Sequence, residues 1–157
     1  VISNDSCTES ILKRLFYKSN YFKQMIIEDK KCPLDIINKI LNDYNDKLKS
    51  VDLVHNNILL TKLAKNIKCT KEIFNKLIDI KLYPITVNLI ANESLPIDLL
   101  EKIFINQYVN CNETSLDVFF IGNKNCSYKI LKEIYKSNEN LKDEIEDHPN
   151  WKLGEFK

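Results

Sequence analysis

The chain has 157 residues and a net charge of +1. That length allows one domain with a real core, and that charge excludes a global field drawing the chain to nucleic acid or an anionic membrane. Hydrophobic residues make up 44% and charged residues 29%, with only two glycines and four prolines, which is ordinary for a soluble protein and too few turn residues for a β-rich fold.

Lysine, asparagine and isoleucine abound while arginine occurs once, as Arg14, a pattern that reads as coding bias in an AT-rich genome. No apolar run approaches the roughly 18 residues of a membrane span, and no secretory signal is present. The chain starts at Val1 rather than Met, which suggests processing or excision from a longer protein. Five cysteines are an odd number for a disulfide framework, and no CxxC pair offers zinc or redox chemistry. Reduced thiols in a soluble protein of the cytoplasm, or otherwise intracellular, are expected.

In chain order, one short string recurs. Its anchors are Asn4, Asp29, Asn66, Asn92, Asn123 and His148, spaced by 25, 37, 26, 31 and 25 residues. Three residues after each anchor stand Cys7, Cys32, Cys69, Leu95, Cys126 and Trp151. Four after the first five come Thr8, Pro33, Thr70, Pro96 and Ser127, residues that suit a helix N-terminus.

Seven, eight, eleven and twelve residues beyond the anchors stand Ile11, Leu12, Leu15 and Phe16, then Ile36, Ile37, Ile40 and Leu41. Ile73, Phe74, Leu77 and Ile78 follow, then Leu99, Leu100, Ile103 and Phe104, and lastly Ile130, Leu131, Ile134 and Tyr135. The intervening positions six, nine and ten on are polar in every copy. This stripe predicts an amphipathic helix, helix B, in each. A shorter helix A precedes each anchor, with Ile26, Leu63, Leu89, Phe120 and Ile145 three residues before it and Phe22, Leu59, Ile85, Leu116 and Leu141 seven before. Pro84 suits the first turn of one copy. The anchor then falls where helix A ends, a place for the left-handed conformation and for side-chain bonds to the turn.

Two short helices cannot bury both stripes alone, so the units must stack. The expectation is an all-α solenoid of about five helix-pair repeats of roughly 25 residues, forming a single domain over residues 1–157. The cysteine slot is then core, and neighbouring thiols about 10 Å apart cannot share a metal ion. Cys111 lies outside the slot.

These units resemble the leucine-rich repeat variant family, a helical relative of HEAT-type solenoids whose turn reads like Asn-Pro-Asn-Thr-Pro. Asn92-Glu93-Ser94-Leu95-Pro96 and His148-Pro149-Asn150 come nearest to it. The resemblance implies a right-handed superhelix and a binding scaffold, and it brings no catalytic residues.

Function has three candidate seats. The extra residues around Asn42–Asn57 and Asn106–Thr114 would be loops on a binding face, carrying Tyr44, His55, Tyr108 and Cys111. Alternatively, Leu48–Val54 adds a helical turn to the core. Ten residues past successive anchors stand Arg14, Lys39, Lys76 and Lys102, a basic ridge broken by Glu133. The same lysines also suit the C-terminal half of a helix. Asp143, Glu144, Glu146 and Asp147 form an acidic run, with Glu146 in a slot filled elsewhere by Ile or Ala, as in a solubilising cap. No phosphate loop, nucleophile elbow or metal cluster occurs, so neither catalysis nor a cofactor is expected. The leading expectation is a scaffold for a protein partner. A nucleic-acid-binding solenoid comes second, and a structural spacer third.

Overall fold

The computed structural model describes residues 7–29, 31–47, 53–111 and 116–154, with side chains undescribed at 45–56, 107–111 and 154. Among the described residues the protein is all-helical and has no strand. In chain order the helices are α1 Glu9–Phe16, α2 Asn20–Glu28, α3 Leu34–Lys47, α4 Leu53–Leu63, α5 Lys71–Asp79 and α6 Tyr83–Ile90. There follow α7 Ile97–Cys111, α8 Asp117–Gly122, α9 Tyr128–Ser137, α10 Lys142–Glu146 and α11 Pro149–Gly154, with a 3₁₀ turn at Glu139–Leu141 before α10. The odd helices α1 to α9 are the expected B helices, and the even ones are the A helices. The sixth copy adds α11, whose first residue directly follows His148. The anchor Asn4, and Val1 three residues before it, lie outside the described residues.

Most of these helices are too short to persist alone in water, so packing holds them. Two compact units divide the chain, Val1–Asn88 and Leu89–Lys157. In the first, α2 packs on α1 and α4, and α4 packs on α3. In the second, α9 packs on α8, α10 and α11. The slot three past the anchor is buried wherever it is described, at Cys7, Cys32, Cys69, Leu95, Cys126 and Trp151. Seventeen of the twenty stripe residues are buried as well, the exceptions being Ile11, Leu15 and Tyr135.

One turn is built five times. The anchor amide donates to the carbonyl three residues earlier, at 3.1 Å for Asp29, 2.8 Å for Asn66, 3.1 Å for Asn92 and Asn123, and 3.0 Å for His148. Its own carbonyl accepts from the slot residue three later, at 2.9 Å from Cys32, 3.3 Å from Cys69, 2.9 Å from Leu95, 2.8 Å from Cys126 and 3.0 Å from Trp151. The anchor side chain accepts from the amide two later, namely Lys31, Lys68, Ser94, Asn125 and Asn150. These bonds satisfy backbone groups that a helix end leaves open.

Two expectations are corrected. Asp29 and Asn123 are extended, with φ −75° and −90°. The positive φ among described non-glycine residues is at Lys81, 57°, after α5. The Asx bond requires extended backbone, so the anchor ends its helix without turning left-handed. The extra residues are not loops alone: they lengthen α3 to 14, α4 to 11 and α7 to 15 residues. Neither stretch contains Gly or Pro to stop a helix.

Candidate binding surface

The anchors do more than close their own turns. Asn66 Nδ2 donates to Ile27 O at 2.5 Å and to Asp29 O at 3.2 Å, both in the preceding copy. Asn123 Nδ2 donates to Ile90 O at 2.5 Å in the same way. His148 Nε2 donates to Asn123 O at 3.1 Å while its Nδ1 accepts from Asn150 N. Those roles assign the neutral tautomer protonated at Nε2, one donor and one acceptor standing in for an amide. A parallel row runs two residues on: Asn125 Nδ2 donates to Glu93 O, and Asn150 Nδ2 donates to Lys124 O and Cys126 O. Amide side chains thus join successive copies inside each unit.

Charged contacts follow a similar register. Lys13 on α1 reaches Asp35 on α3 at 2.9 Å and Glu9 at 2.8 Å. Ser127 Oγ, before α9, donates to Glu101 on α7 at 2.8 Å. Lys62 on α4 meets Glu28 on α2 at 2.8 Å. In the first unit α1 and α3 are therefore neighbours, as are α2 and α4, and in the second the start of α9 lies beside α7. An open groove of about 560 Å³ lies beside the first of these ties. Lys13, Lys31 and Lys68 line it with Glu9 and Asp35, so its walls carry both signs.

The expected basic ridge is largely balanced along its own helices. Lys39 lies 3.7 Å from Asp43, and Lys76 lies 2.8 Å from Glu72. The Lys76 ammonium holds the Glu72 carboxyl below its usual range. Glu133, which breaks the row, pairs with Lys136 at 2.8 Å. Lys102 is half-buried, and Arg14 is exposed with no ion pair among the described residues. Tyr44 is buried on α3, so it belongs to the core rather than to a loop. His55 falls within α4, and Tyr108 and Cys111 within α7, but their side chains lie outside the described ones.

Cys7, Cys32, Cys69 and Cys126 are free and buried. Burial pushes the thiols of Cys32, Cys69 and Cys126 up to about 12, which removes thiolate reactivity near neutral pH. Among the described residues no group of three or more His, Cys, Asp or Glu side chains is placed to hold a metal ion. None of their helices is long and apolar enough to cross a membrane.

Three features escaped the sequence. Asp117, the first residue of α8, is fully buried. Its Oδ2 accepts from Asn138 Nδ2 at 3.2 Å, and its Oδ1 has no hydrogen-bond partner among the described residues. Burial raises its pKa. Nothing in its spacing marks it, because a carboxylate at a helix start usually faces solvent. The second feature is the set of bonds between copies, whose signal was the recurrence of Asn two residues past the last two anchors. The third is the uncovered stripe of α1: Ile11 is 41% exposed and Leu15 is half-buried. No family model matches the chain, and no curated protein or solved structure matches it either.

Proposed function

We propose that the chain is a non-catalytic, intracellular helical-repeat scaffold, a right-handed α-solenoid of the leucine-rich repeat variant kind, that binds a protein partner. The observation that supports this reading best is a surface of mixed sign: Lys39 and Lys76 pair with acidic neighbours, and the groove beside Lys13 and Asp35 carries both charges. Such a surface suits a protein, whose own charges are mixed, better than a polyanion. The five-fold turn supports the repeat itself, and the bonds between copies support the stacking.

A nucleic-acid partner is the second reading, favoured by the lysines of the groove and by Arg14. The pairing of Lys39 and Lys76 with acidic neighbours weakens it. Affinity capture with crosslinking from the native organism separates the two. A recovered protein crosslinked to the chain, insensitive to nuclease, supports the scaffold. Recovery that falls steeply with salt and disappears with nuclease overturns it.

A further inference from the structure

The position two past the anchor separates the turns of the two units. In the last two copies it is asparagine, and its amide crosses to the turn before. Asn125 Nδ2 donates to Glu93 O at 2.6 Å, and Asn150 Nδ2 donates to Lys124 O at 2.9 Å and to Cys126 O at 2.8 Å. Lys124 also pairs with Glu93 across the first of these places. In the second and third copies the same position holds Lys31 and Lys68. Both line the open groove of the first unit, together with Lys13, Leu34, Glu9 and Asp35. What fills this place in the later copies is therefore a side chain of the turn itself. The groove runs from α1 past the start of α3 to the turn before α5, along the edge of the unit and not across its end.

The lining says what fits there. Glu9 and Asp35 are both held by Lys13, at 2.8 and 2.9 Å, so one ammonium serves two carboxylates. Lys31 is half-buried, and Lys68 is exposed with no ion pair among the described residues. Three lysines against two carboxylates leave the lining positive, and Leu34 adds an apolar wall that is 48% exposed. A nucleic acid carries a charge at every residue and would set phosphates against Glu9 and Asp35 as well as against the lysines. A peptide can place a carboxylate at one end of the groove and none at the other.

We propose that this groove takes a segment of a partner protein that sets a carboxylate against Lys31 and Lys68 and an adjacent apolar side chain on Leu34. This rests on the scaffold reading and names the partner's chemistry. The carboxylate takes the place that an amide of the same turn fills in the second unit, and the apolar side chain covers a leucine that the fold leaves open.

The test titrates the isotope-labelled full chain with short synthetic peptides and follows its amide resonances. One peptide alternates glutamate with leucine, one replaces the glutamates by lysine, and one replaces the leucines by serine. Saturable shifts should cluster at Lys31, Leu34, Asp35 and Lys68. The glutamate–leucine peptide should bind at least about fivefold tighter than the lysine–leucine peptide, with the gap narrowing in high salt. It should bind about threefold tighter than the glutamate–serine peptide, and Leu34→Ser should remove that advantage. Lys68→Glu should reverse the preference between glutamate and lysine. Lys18→Glu takes the same charge from an exposed position outside the groove and should leave the preference in place. Lys68→Gln, which should abolish the preference without reversing it, keeps the test valid if Lys68→Glu disturbs folding. Equal affinity for the glutamate and lysine peptides, no saturable binding, shifts clustered elsewhere, or indifference to Lys68→Glu overturns the proposal. So does a single-stranded oligonucleotide that binds tighter and displaces the peptide from the groove. A captured protein crosslinked elsewhere on the chain, with no peptide bound here, would sink this proposal and leave the scaffold standing, whereas nuclease-sensitive capture alone would sink both.

Discussion

Residues 1–88 and 89–157 build the same turn from the same slots and carry opposite charge. The first unit has 15 basic and 10 acidic side chains, net +5, and the second has 8 and 12, net −4. What the two share is for the most part buried or bonded: the anchor, the slot three residues later, and most of the two stripes. What differs sits, among the described side chains and Asp117 apart, on exposed or half-buried positions, where a substitution changes little in the fold. Stacking therefore fixes one set of residues and leaves the other free to be shaped by a partner. The near-zero total charge hides this division, since it averages two units of opposite sign.

The sharpest way to break the comparison is to make one substitution at equivalent slots. Ile130 on α9 is 1% exposed and Ile11 on α1 is 41% exposed, both seven residues past an anchor. Ile130→Ala should destabilise by about 2–5 kcal/mol, the range for a large-to-small change in a packed core. Ile11→Ala should cost less than about 1 kcal/mol, because little apolar surface returns to water. Urea unfolding of both variants checks this. Equal losses would mean that Ile11 is covered after all.

That slot also shows what was legible beforehand. The 3.6-residue period identified the stripes, and the recurrence of Cys7, Cys32, Cys69, Leu95, Cys126 and Trp151 identified a common core position. Periodicity alone could not separate Ile11 from Ile130, because it assigns a face to a helix without saying whether a neighbour covers it. The ridge is less open than its spacing implied, for a related reason. Spacing aligned Arg14, Lys39, Lys76 and Lys102, but Asp43 and Glu72 stand one helical turn from two of those lysines, so local ion pairs occupy what looked like a free row.

The anchors give the next largest effect, and they separate positions that look alike. Asn123 accepts within its own turn and donates to Ile90 O of the copy before. Asn123→Ala should cost about 1–3 kcal/mol, since it strands a buried carbonyl. Asn123→Asp should be at least as damaging, because it replaces the donor with a negative oxygen facing that carbonyl. Asp29, whose bond to Lys31 N needs only an acceptor, should tolerate Asn within about 0.5 kcal/mol. His148→Asn should also be mild, as it restores the residue that serves elsewhere. Thermal melts of the four variants rank them. An Asn123→Asp protein as stable as the parent would show that the bond to the preceding copy contributes nothing.

A smaller effect belongs to the second unit alone. Asp117 has a raised pKa because it is buried, so between the ordinary carboxylate value and its folded value the native state binds more protons than the unfolded chain. Stability then falls as pH rises through that window and is recovered on acidification. Asp117→Asn should remove this dependence, keeping an acceptor for Asn138. Near neutral pH it should raise stability by an amount on the order of 1 kcal/mol, the scale for one unsatisfied buried group. The gain should shrink below the ordinary carboxylate range. A variant whose advantage persists unchanged at acid pH would place the effect in packing instead of ionisation.

The smallest effect on the fold tests the charge division most directly. Glu72 is exposed and pairs with Lys76 along one turn of α5. Exposed pairs of this kind add little to stability, so Glu72→Gln should leave the unfolding midpoint within about 1 °C of the parent. It does free a cation on the first unit's ridge. If that ridge serves a polyanion, the variant should bind heparin more tightly than the parent, with a steeper dependence on salt. If the ridge is only a solvated helix face, parent and variant should elute from a heparin column together. Co-elution would leave the row a solvated helix face, with Arg14 an exposed cation that has no ion pair among the described residues.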